Sequence, residues 1–244
     1  MTLEAYRRLA PELVEAGGAV VTRFPQAPDS PMLNRAVGLG VDTPALETDV
    51  DAVLRALQGT TFYVAVAPDA RPDLLPRWLA ARGLEPGWGW MTFRRRSADP
   101  PAVRSVLVAV EVQSEEQASE FARIIRIAFE LPEATDPVFA GMPDRGWLCW
   151  LAYLGDEPAA AAAMYVTGGA GYLSFAATLP DHRGEGAQSL LLSIRIQRAV
   201  QRGCDIVVSE TGELRDGLPS NSYRNLLRAG FEEVAVTANW LGRS

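Results

Sequence analysis

Pro180-Asp181-His182-Arg183-Gly184-Glu185-Gly186-Ala187 is the stretch that decides the fold of the second half of this chain. Two glycines leave room for a phosphate against the backbone, and the helical pattern that follows would point its first amides at the same anion. Arg183 can add a charge-assisted hydrogen bond. Glu185 opposes such a site only if its carboxylate turns inward. The stretch therefore predicts an anion-binding loop before a helix.

Three other interpretations of this loop can be compared with the sequence, and the residues argue against the first two. A P-loop needs Gly-Lys-Ser or Gly-Lys-Thr at its end, where this chain has Gly186-Ala187-Gln188. A dinucleotide-binding turn needs a third glycine at the position of Ser189 and glycines directly after a strand, whereas residues 179–183 intervene. A plain glycine turn before a helix explains the two glycines equally well.

The surrounding apolar spacing predicts strand, helix, three strands, helix, strand, helix and strand. This order indicates an α/β fold with a mixed sheet. Ser220 is the expected cap of the last helix, and Gly230 is its expected end. The predicted elements cover residues 103–112, 115–129, 147–153, 159–166, 171–178, 188–202, 205–209 and 220–230, and the last strand starts at residue 231.

A charged stretch that ends in two prolines, residues 94–101, predicts a linker between domains at residues 1–96 and 103–244. The front domain ends in a similar order of elements. Its Leu79-Ala80-Ala81-Arg82-Gly83-Leu84-Glu85 parallels Leu226-Leu227-Arg228-Ala229-Gly230-Phe231-Glu232, which indicates a duplicated fold, although the common glycine stop of helices also explains the match. Residues 38–44, the corresponding link in front, contain no Arg-Gly-x-Gly, so the front copy is expected to have lost its ligand.

With these features, residues 103–244 resemble the GNAT (GCN5-related N-acetyltransferase) superfamily. Arg183-Gly184-Glu185-Gly186-Ala187-Gln188 follows the loop pattern of that family and departs from it only at Gln188. Gly230-Phe231 matches its second signature. The resemblance implies the acyl-CoA N-acyltransferase (GNAT) fold in two tandem domains, the front one degenerate. It also implies an acyltransferase that moves an acetyl group from acetyl-CoA to an amine by direct attack.

The resemblance also implies which residues bind coenzyme A. The strand before the loop would part from its neighbour and bind pantetheine with its main chain, and the loop would bind the pyrophosphate. Helix capping explains Asn221 and Ser222 as well as coenzyme contact does. The expected coenzyme-binding residues are Ala176, Ala177, Thr178, Arg183, Gly184, Glu185, Gly186, Ala187, Gln188, Ser189, Asn221 and Ser222.

Two residues are candidates for proton transfer. Typical members of the family place a tyrosine donor where this chain has Leu226. Tyr223, one turn earlier, is a candidate acid, and a core tyrosine is the alternative. Glu210, near the end of a strand, is a candidate base, and a solvated carboxylate or a partner for Arg224 or Arg228 is the alternative.

Composition limits the remaining classes of function. A net charge of −7 argues against nucleic-acid binding, and no apolar run reaches the roughly 18 residues that span a bilayer. We expect a cytoplasmic protein that needs no metal, with Cys149 and Cys204 as buried apolar side chains. The expected partners are acetyl-CoA and an amine-bearing acceptor; oligomeric state is open, and a homodimer is one option. The rival interpretation is a non-catalytic CoA-binding or protein-interaction module.

Overall fold

The computed structural model describes residues 3–244 and divides the chain into two compact units. The front unit comprises Leu9–Met91 and Ala235–Ser244, and the rear unit comprises residues 3–8 together with Thr92–Val234. These bounds differ from the sequence-based domains at both ends of the chain. The last residues lie in the front unit because residues 238–243 pair antiparallel with residues 61–66.

The first part of the chain contains, in order, α1 (Leu3–Arg7), β1 (Glu12–Ala16), β2 (Ala19–Arg23), β3 (Arg35–Val37), α2 (Glu47–Ala56), β4 (Thr61–Val66), α3 (Leu75–Ala81), β5 (Glu85–Pro86) and β6 (Trp90–Arg96). The second part contains β7 (Val108–Glu111), α4 (Glu115–Ala128), α5 (Asp136–Ala140), β8 (Leu148–Leu154), β9 (Glu157–Thr167), β10 (Ala170–Thr178), α6 (Ala187–Gln201), β11 (Ile206–Gly212), α7 (Asn221–Arg228) and β12 (Glu232–Arg243).

In the rear unit the strands follow the order β6, β11, β10, β9, β8, β7. β7 to β10 pair antiparallel, and β10 pairs parallel with β11, so the sheet is mixed as the sequence predicted. α6 is the connection between the two parallel strands and packs against β9 and β10. This crossover brings the glycine loop to the end of β10.

The rear helices begin and end where their sequence signals lie. Ser114 Oγ accepts a hydrogen bond from the amide of Gln117 at the start of α4, and Ser220 Oγ accepts one from the amide of Tyr223 at the start of α7. Gly230, with φ of +79°, follows the end of α7. The predicted cap and glycine stop of α7 are therefore confirmed.

The sequence spacing predicts that α6 buries an apolar stripe of Leu190, Leu191, Ile194, Ile196 and Val200, and this prediction is wrong in part. Leu190, Ile194 and Val200 are only half-buried, whereas Arg195 is buried with 3% of its surface exposed. The helix buries a different face, because residues 191, 195 and 199, which are spaced four apart, lie on the side that packs against β9 and β10. The sequence-based linker is also shifted, since Arg94–Arg96 belongs to β6.

The front unit repeats the strand pairing of the rear unit. β1 pairs antiparallel with β2, β2 pairs antiparallel with β3, and β3 pairs parallel with β4. The same sequence of pairings holds for β8, β9, β10 and β11. α2 connects the parallel pair in front, as α6 does in the rear. The internal architecture of the two units thus supports the duplicated fold.

The parallel pair and its helix form the front core. Val50, Val53 and Leu57 from α2 and its end pack with Phe62 and Val64 of β4, and all five side chains are buried. Among the described residues, no helix combines the length and apolar character needed to cross a membrane.

Candidate active site

A pocket of about 500 Å³ lies in the rear unit, where the glycine loop, the start of α6, the end of β10 and one face of α7 meet. It brings together eleven of the twelve predicted coenzyme-binding residues. The exception is Glu185, which is exposed. The lining residues are Ala128, Phe129, Ala176, Ala177, Thr178, His182, Arg183, Gly184, Gly186, Ala187, Gln188, Ser189, Asn221, Ser222, Asn225 and Arg228.

β10 parts from β11 beside this pocket. The last paired residues of the two strands are Leu173 and Ser209, although β10 continues to Thr178. The register between β9 and β10 also shifts between Ser174 and Ala177, where Phe175 has φ of +48°. A bulge of this kind turns the backbone out of the ladder, so main-chain groups of β10 border the pocket.

The glycines of the loop are required by backbone conformation. Gly184 has φ of +95° and Gly186, the N-cap of α6, has φ of +83°. A Cβ added at either glycine would meet no heavy atom within 4 Å. The left-handed backbone conformation therefore requires glycine at both positions. No atom of the described chain fills the space beside them, so the room for a phosphate that the sequence suggested is present.

Gln188 joins the loop to the strand end. Its side-chain amide donates a 3.0 Å hydrogen bond to the hydroxyl of Thr178. Both residues line the pocket. The residue that departs from the family pattern thus ties the first turn of α6 to β10.

The charges around the pocket favour an anion. The first turn of α6 carries no acidic side chain, so the partial positive charge of its N-terminus is not cancelled there. Arg183 and Arg228 line the pocket, together with His182, whose Nε2 lies 3.9 Å from Glu157 Oε2. The pocket therefore offers helix amides and two guanidinium groups to phosphate oxygens.

α7 contributes four lining residues at helical spacing: Asn221, Ser222, Asn225 and Arg228. Ser220 supplies the N-cap bond, so capping does not account for Asn221 or Ser222. Sequence reasoning missed Asn225 and Arg228 as pocket residues, although steps of three and four residues from Ser222 and Asn221 place them on the same face. It also missed Ala128 and Phe129, at the end of α4.

Tyr223 faces away from the residues that line the pocket. Only 1% of its surface is exposed, and its hydroxyl donates a 2.6 Å hydrogen bond to Glu233. Its ring packs edge-on against Phe93 with 4.7 Å between centroids. Burial and, to a smaller extent, the hydrogen bond to Glu233 raise the pKa of Tyr223 to about 12. Its role as an acid stays a prediction.

Glu210 follows Ser209, the last residue of β11 that pairs with β10. Its carboxylate accepts hydrogen bonds from Tyr172 Oη at 3.3 Å and Thr92 Oγ1 at 3.4 Å. It lies at the parting of the strands but is not among the lining residues that the structure describes. Its role as a base also stays a prediction.

Neither cysteine is placed for nucleophilic chemistry. Cys149 and Cys204 are free and buried, and burial raises the pKa of both thiols. Within residues 3–244, no group of three or more His, Cys, Asp or Glu side chains is arranged to hold a metal ion.

Comparison with known proteins supports the fold over nearly the whole chain. A GCN5-related N-acetyltransferase from Kribbella flavida is 20% identical with a TM-score of 0.69, covering 99% of this chain and 93% of its own. A second GCN5-related N-acetyltransferase, from Sphaerobacter thermophilus, is 15% identical with a TM-score of 0.68, covering 99% of this chain and 85% of its own.

A tandem GNAT protein from the clavulanic acid biosynthesis pathway has a TM-score of 0.61 and 16% identity, and the match covers 99% of this chain and 87% of that one. No curated protein matches the chain significantly. The sequence profile of the acetyltransferase (GNAT) family matches residues 113–217, which include the glycine loop, α6 and β11. Residues 113–217 are therefore similar in sequence to the acetyltransferase (GNAT) family, and the solved structures share their fold.

Proposed function

We propose that the rear unit is an N-acetyltransferase that uses acetyl-CoA as donor and an amine as acceptor. The observation that carries this proposal is that the glycine loop, the parted end of β10 and α7 line one pocket. Its volume lies within the range of about 300–1,000 Å³ that is usual for small-molecule sites.

Each part of the pocket suits a different part of the coenzyme. The pyrophosphate would bind the amides between Gly184 and Ser189, with Arg183 and Arg228 adding charge-assisted hydrogen bonds. The pantetheine arm would lie along Ala176 to Thr178, since an extended chain with amide groups pairs with unpaired main chain of a strand. The thioester would then lie at the bulge of β10.

The proposed reaction needs few protein groups. The amine nitrogen attacks the thioester carbon, the new C–N bond forms, and the C–S bond breaks with its electron pair on sulfur. The proton lost by the amine passes to Glu210 directly or through water, and the coenzyme thiolate takes up a proton from solvent water. Leu226 cannot provide that proton, and Tyr223 would first have to release its bond to Glu233.

The second candidate function is a CoA-binding or protein-interaction module without catalysis. Leu226, buried where typical relatives carry a tyrosine, is the observation that favours it. Such a module would bind acetyl-CoA and leave the thioester intact. Cytoplasmic location and a homodimer remain predictions from the sequence.

For the front unit we propose a degenerate copy without a coenzyme site. The link before α2 is closed, because a Cβ at Gly40 would lie 2.4 Å from the carbonyl oxygen of Arg71, which also accepts a hydrogen bond from Ala45 N. The first turn of α2 carries Glu47 and Asp49, whose charges oppose an anion there.

The proposed activity is tested by measuring the release of free thiol from acetyl-CoA in the presence of small amines or of peptides with a free N-terminal amine. We expect release that depends on the amine and saturates with acetyl-CoA. Binding of acetyl-CoA with no release for any amine in a broad panel would favour the non-catalytic module.

A further inference from the structure

Arg195 is a buried cation on α6 whose hydrogen-bond partners are carbonyl oxygens. Its Nε donates to Leu191 O at 3.0 Å, and its Nη1 donates to Ala163 O at 3.2 Å and Ser174 O at 3.3 Å. In the part of the chain that the structure describes, no ion pair engages this guanidinium. Burial lowers the pKa of Arg195 to about 9, so the group is still charged at neutral pH.

Packing alone does not account for a guanidinium at this position. Burial of a charge without a counter-ion is unfavourable, and methionine or leucine would fill a similar volume without that desolvation penalty. The contacts with β9 and β10 indicate what the charge does. One nitrogen, Nη1, satisfies carbonyl oxygens on both strands at the paired residues Ala163 and Ser174.

Ser174 is the last residue of β10 in regular register with β9 before the bulge. Its carbonyl belongs to the same peptide group as the amide of Phe175, the residue with φ of +48°. That peptide is trans, so its C=O and N–H point in opposite directions. Because the carbonyl accepts a hydrogen bond from Arg195, the Phe175 N–H points away from that guanidinium.

A hydrogen bond to a charged donor polarises a peptide group and strengthens its N–H as a donor. The next residue along the strand, Ala176, lines the pocket. We propose that Arg195 is a positioning residue, which holds and polarises the Ser174–Phe175 peptide so that the Phe175 N–H stabilises the thioester oxygen during acyl transfer.

This inference rests on the proposed function, because it needs the thioester of acetyl-CoA at the bulge. Negative charge grows on the thioester oxygen as the amine attacks, and a fixed N–H dipole in a site shielded from water stabilises that charge. A buried cation behind the peptide adds to the same field. This field would compensate in part for the absence of a proton donor at position 226, where the chain has leucine.

The peptide can be observed selectively. Ser174-Phe175 is the only serine followed by phenylalanine in the chain. Labelling with 1-¹³C-serine and ¹⁵N-phenylalanine therefore gives one amide signal with both labels bonded, and that signal reports on this peptide alone. In the wild type we expect the Phe175 amide proton to move downfield with acetyl-CoA relative to CoA, since only the acetyl form brings the oxygen.

The variants test the role of the charge. Arg195→Met removes it at similar volume, Arg195→Lys retains it with fewer donors, and Arg202→Met, at the exposed far end of α6, is the matched control. With [1-¹³C]acetyl-CoA bound, the carbonyl stretch should lie below that of free acetyl-CoA in the wild type and in Arg202→Met. It should return toward the free value in Arg195→Met and lie between in Arg195→Lys. Turnover should fall by about tenfold or more in Arg195→Met with little change in KM.

Each outcome decides the inference. Equal carbonyl frequencies in the wild type and Arg195→Met, with both proteins bound to acetyl-CoA, would overturn it and leave Arg195 as a structural residue. If Arg195→Met does not fold, an identical Phe175 amide signal with CoA and acetyl-CoA in the wild type overturns it instead. Failure of the wild type to bind acetyl-CoA at all would reject the proposed function, and this inference with it, which is a distinguishable result.

Discussion

The side-chain amide of Gln188 donates a hydrogen bond to the hydroxyl of Thr178 across 3.0 Å, which ties the first turn of α6 to the end of β10. Replacement of Gln188 by methionine keeps the length of the side chain and removes the donor. We expect a loss of about 1 kcal/mol in the free energy of unfolding, because a typical hydrogen bond contributes that much. We also expect several-fold weaker binding of CoA, since both residues line the pocket.

Calorimetric titration with CoA and urea unfolding measure these two effects. Gln197→Met, on the exposed side of the same helix, is the matched control. Equal CoA affinity in Gln188→Met and Gln197→Met would show that the bond does not shape the pocket.

Gly186 should be needed for binding beyond its contribution to stability. Alanine at its φ of +83° costs about 1–2 kcal/mol of backbone strain, although the added methyl meets no atom. Gly203, at the other end of α6, has φ of +68° and equal space. We expect both alanine variants to lower the melting temperature and only Gly186→Ala to lose most of its affinity for CoA. Equal affinities for CoA in the two variants would show that the glycine loop does not bind the coenzyme.

Glu210→Gln tests the proposed base. The amide oxygen can accept only one of the two hydrogen bonds, since Tyr172 and Thr92 donate to different carboxylate oxygens, and the amide cannot take a proton from the amine. We expect turnover to fall by about 100-fold or more, as for loss of general base catalysis, with CoA affinity unchanged. Glu232→Gln, exposed at the start of β12, is the control. Unchanged turnover in Glu210→Gln would dispose of the assignment.

Tyr223→Phe tests whether this tyrosine packs or donates a proton. Loss of its bond to Glu233 should lower the free energy of unfolding at neutral pH by about 1 kcal/mol, with turnover within about twofold of the wild type. A large fall in turnover at unchanged CoA affinity would restore its role as the acid.

The pH dependence of unfolding gives a second measurement. The pKa of Tyr223 in the folded chain, about 12, lies above the value near 10 of an exposed tyrosine, so the unfolded chain releases this proton first as pH rises. The stability that Tyr223 contributes should therefore be complete below about pH 10 and lost as pH approaches 12. The difference between wild type and Tyr223→Phe should shrink over that interval.

Structural features that depend on residues close in sequence were predicted well. The glycine stop after α7, the Ser220 cap and the order of strands depend on nearby residues and periodicity, and all are present. The pocket residues of the loop and of β10 were expected because the family pattern is contiguous there. Asn225 and Arg228 could have been found by extending the α7 face from Asn221 and Ser222.

Features with long-range causes were missed. The assignment of the last ten residues to the front unit depends on pairing of β12 with β4, which local sequence does not encode. The bulge at Phe175 depends on how β9, β10 and α6 pack together. Arg195 did carry a signal, because a charged residue at a period of four between Leu191 and Ala199 interrupts an apolar face. The apolar residues beside Arg195 were instead predicted to form the buried stripe of α6, which is wrong in part.

The central claim, a coenzyme A site in the rear unit, is tested most directly by thermal unfolding with acetyl-CoA, CoA and NAD. A ligand that binds only the folded chain stabilises it by about 2.7 kcal/mol at 100 times its Kd. We expect acetyl-CoA and CoA to raise the melting temperature of the wild type, NAD to leave it unchanged, and Gly186→Ala to lose the response that Gly203→Ala retains. No shift with either form of the coenzyme, or a shift with NAD alone, would contradict the claim.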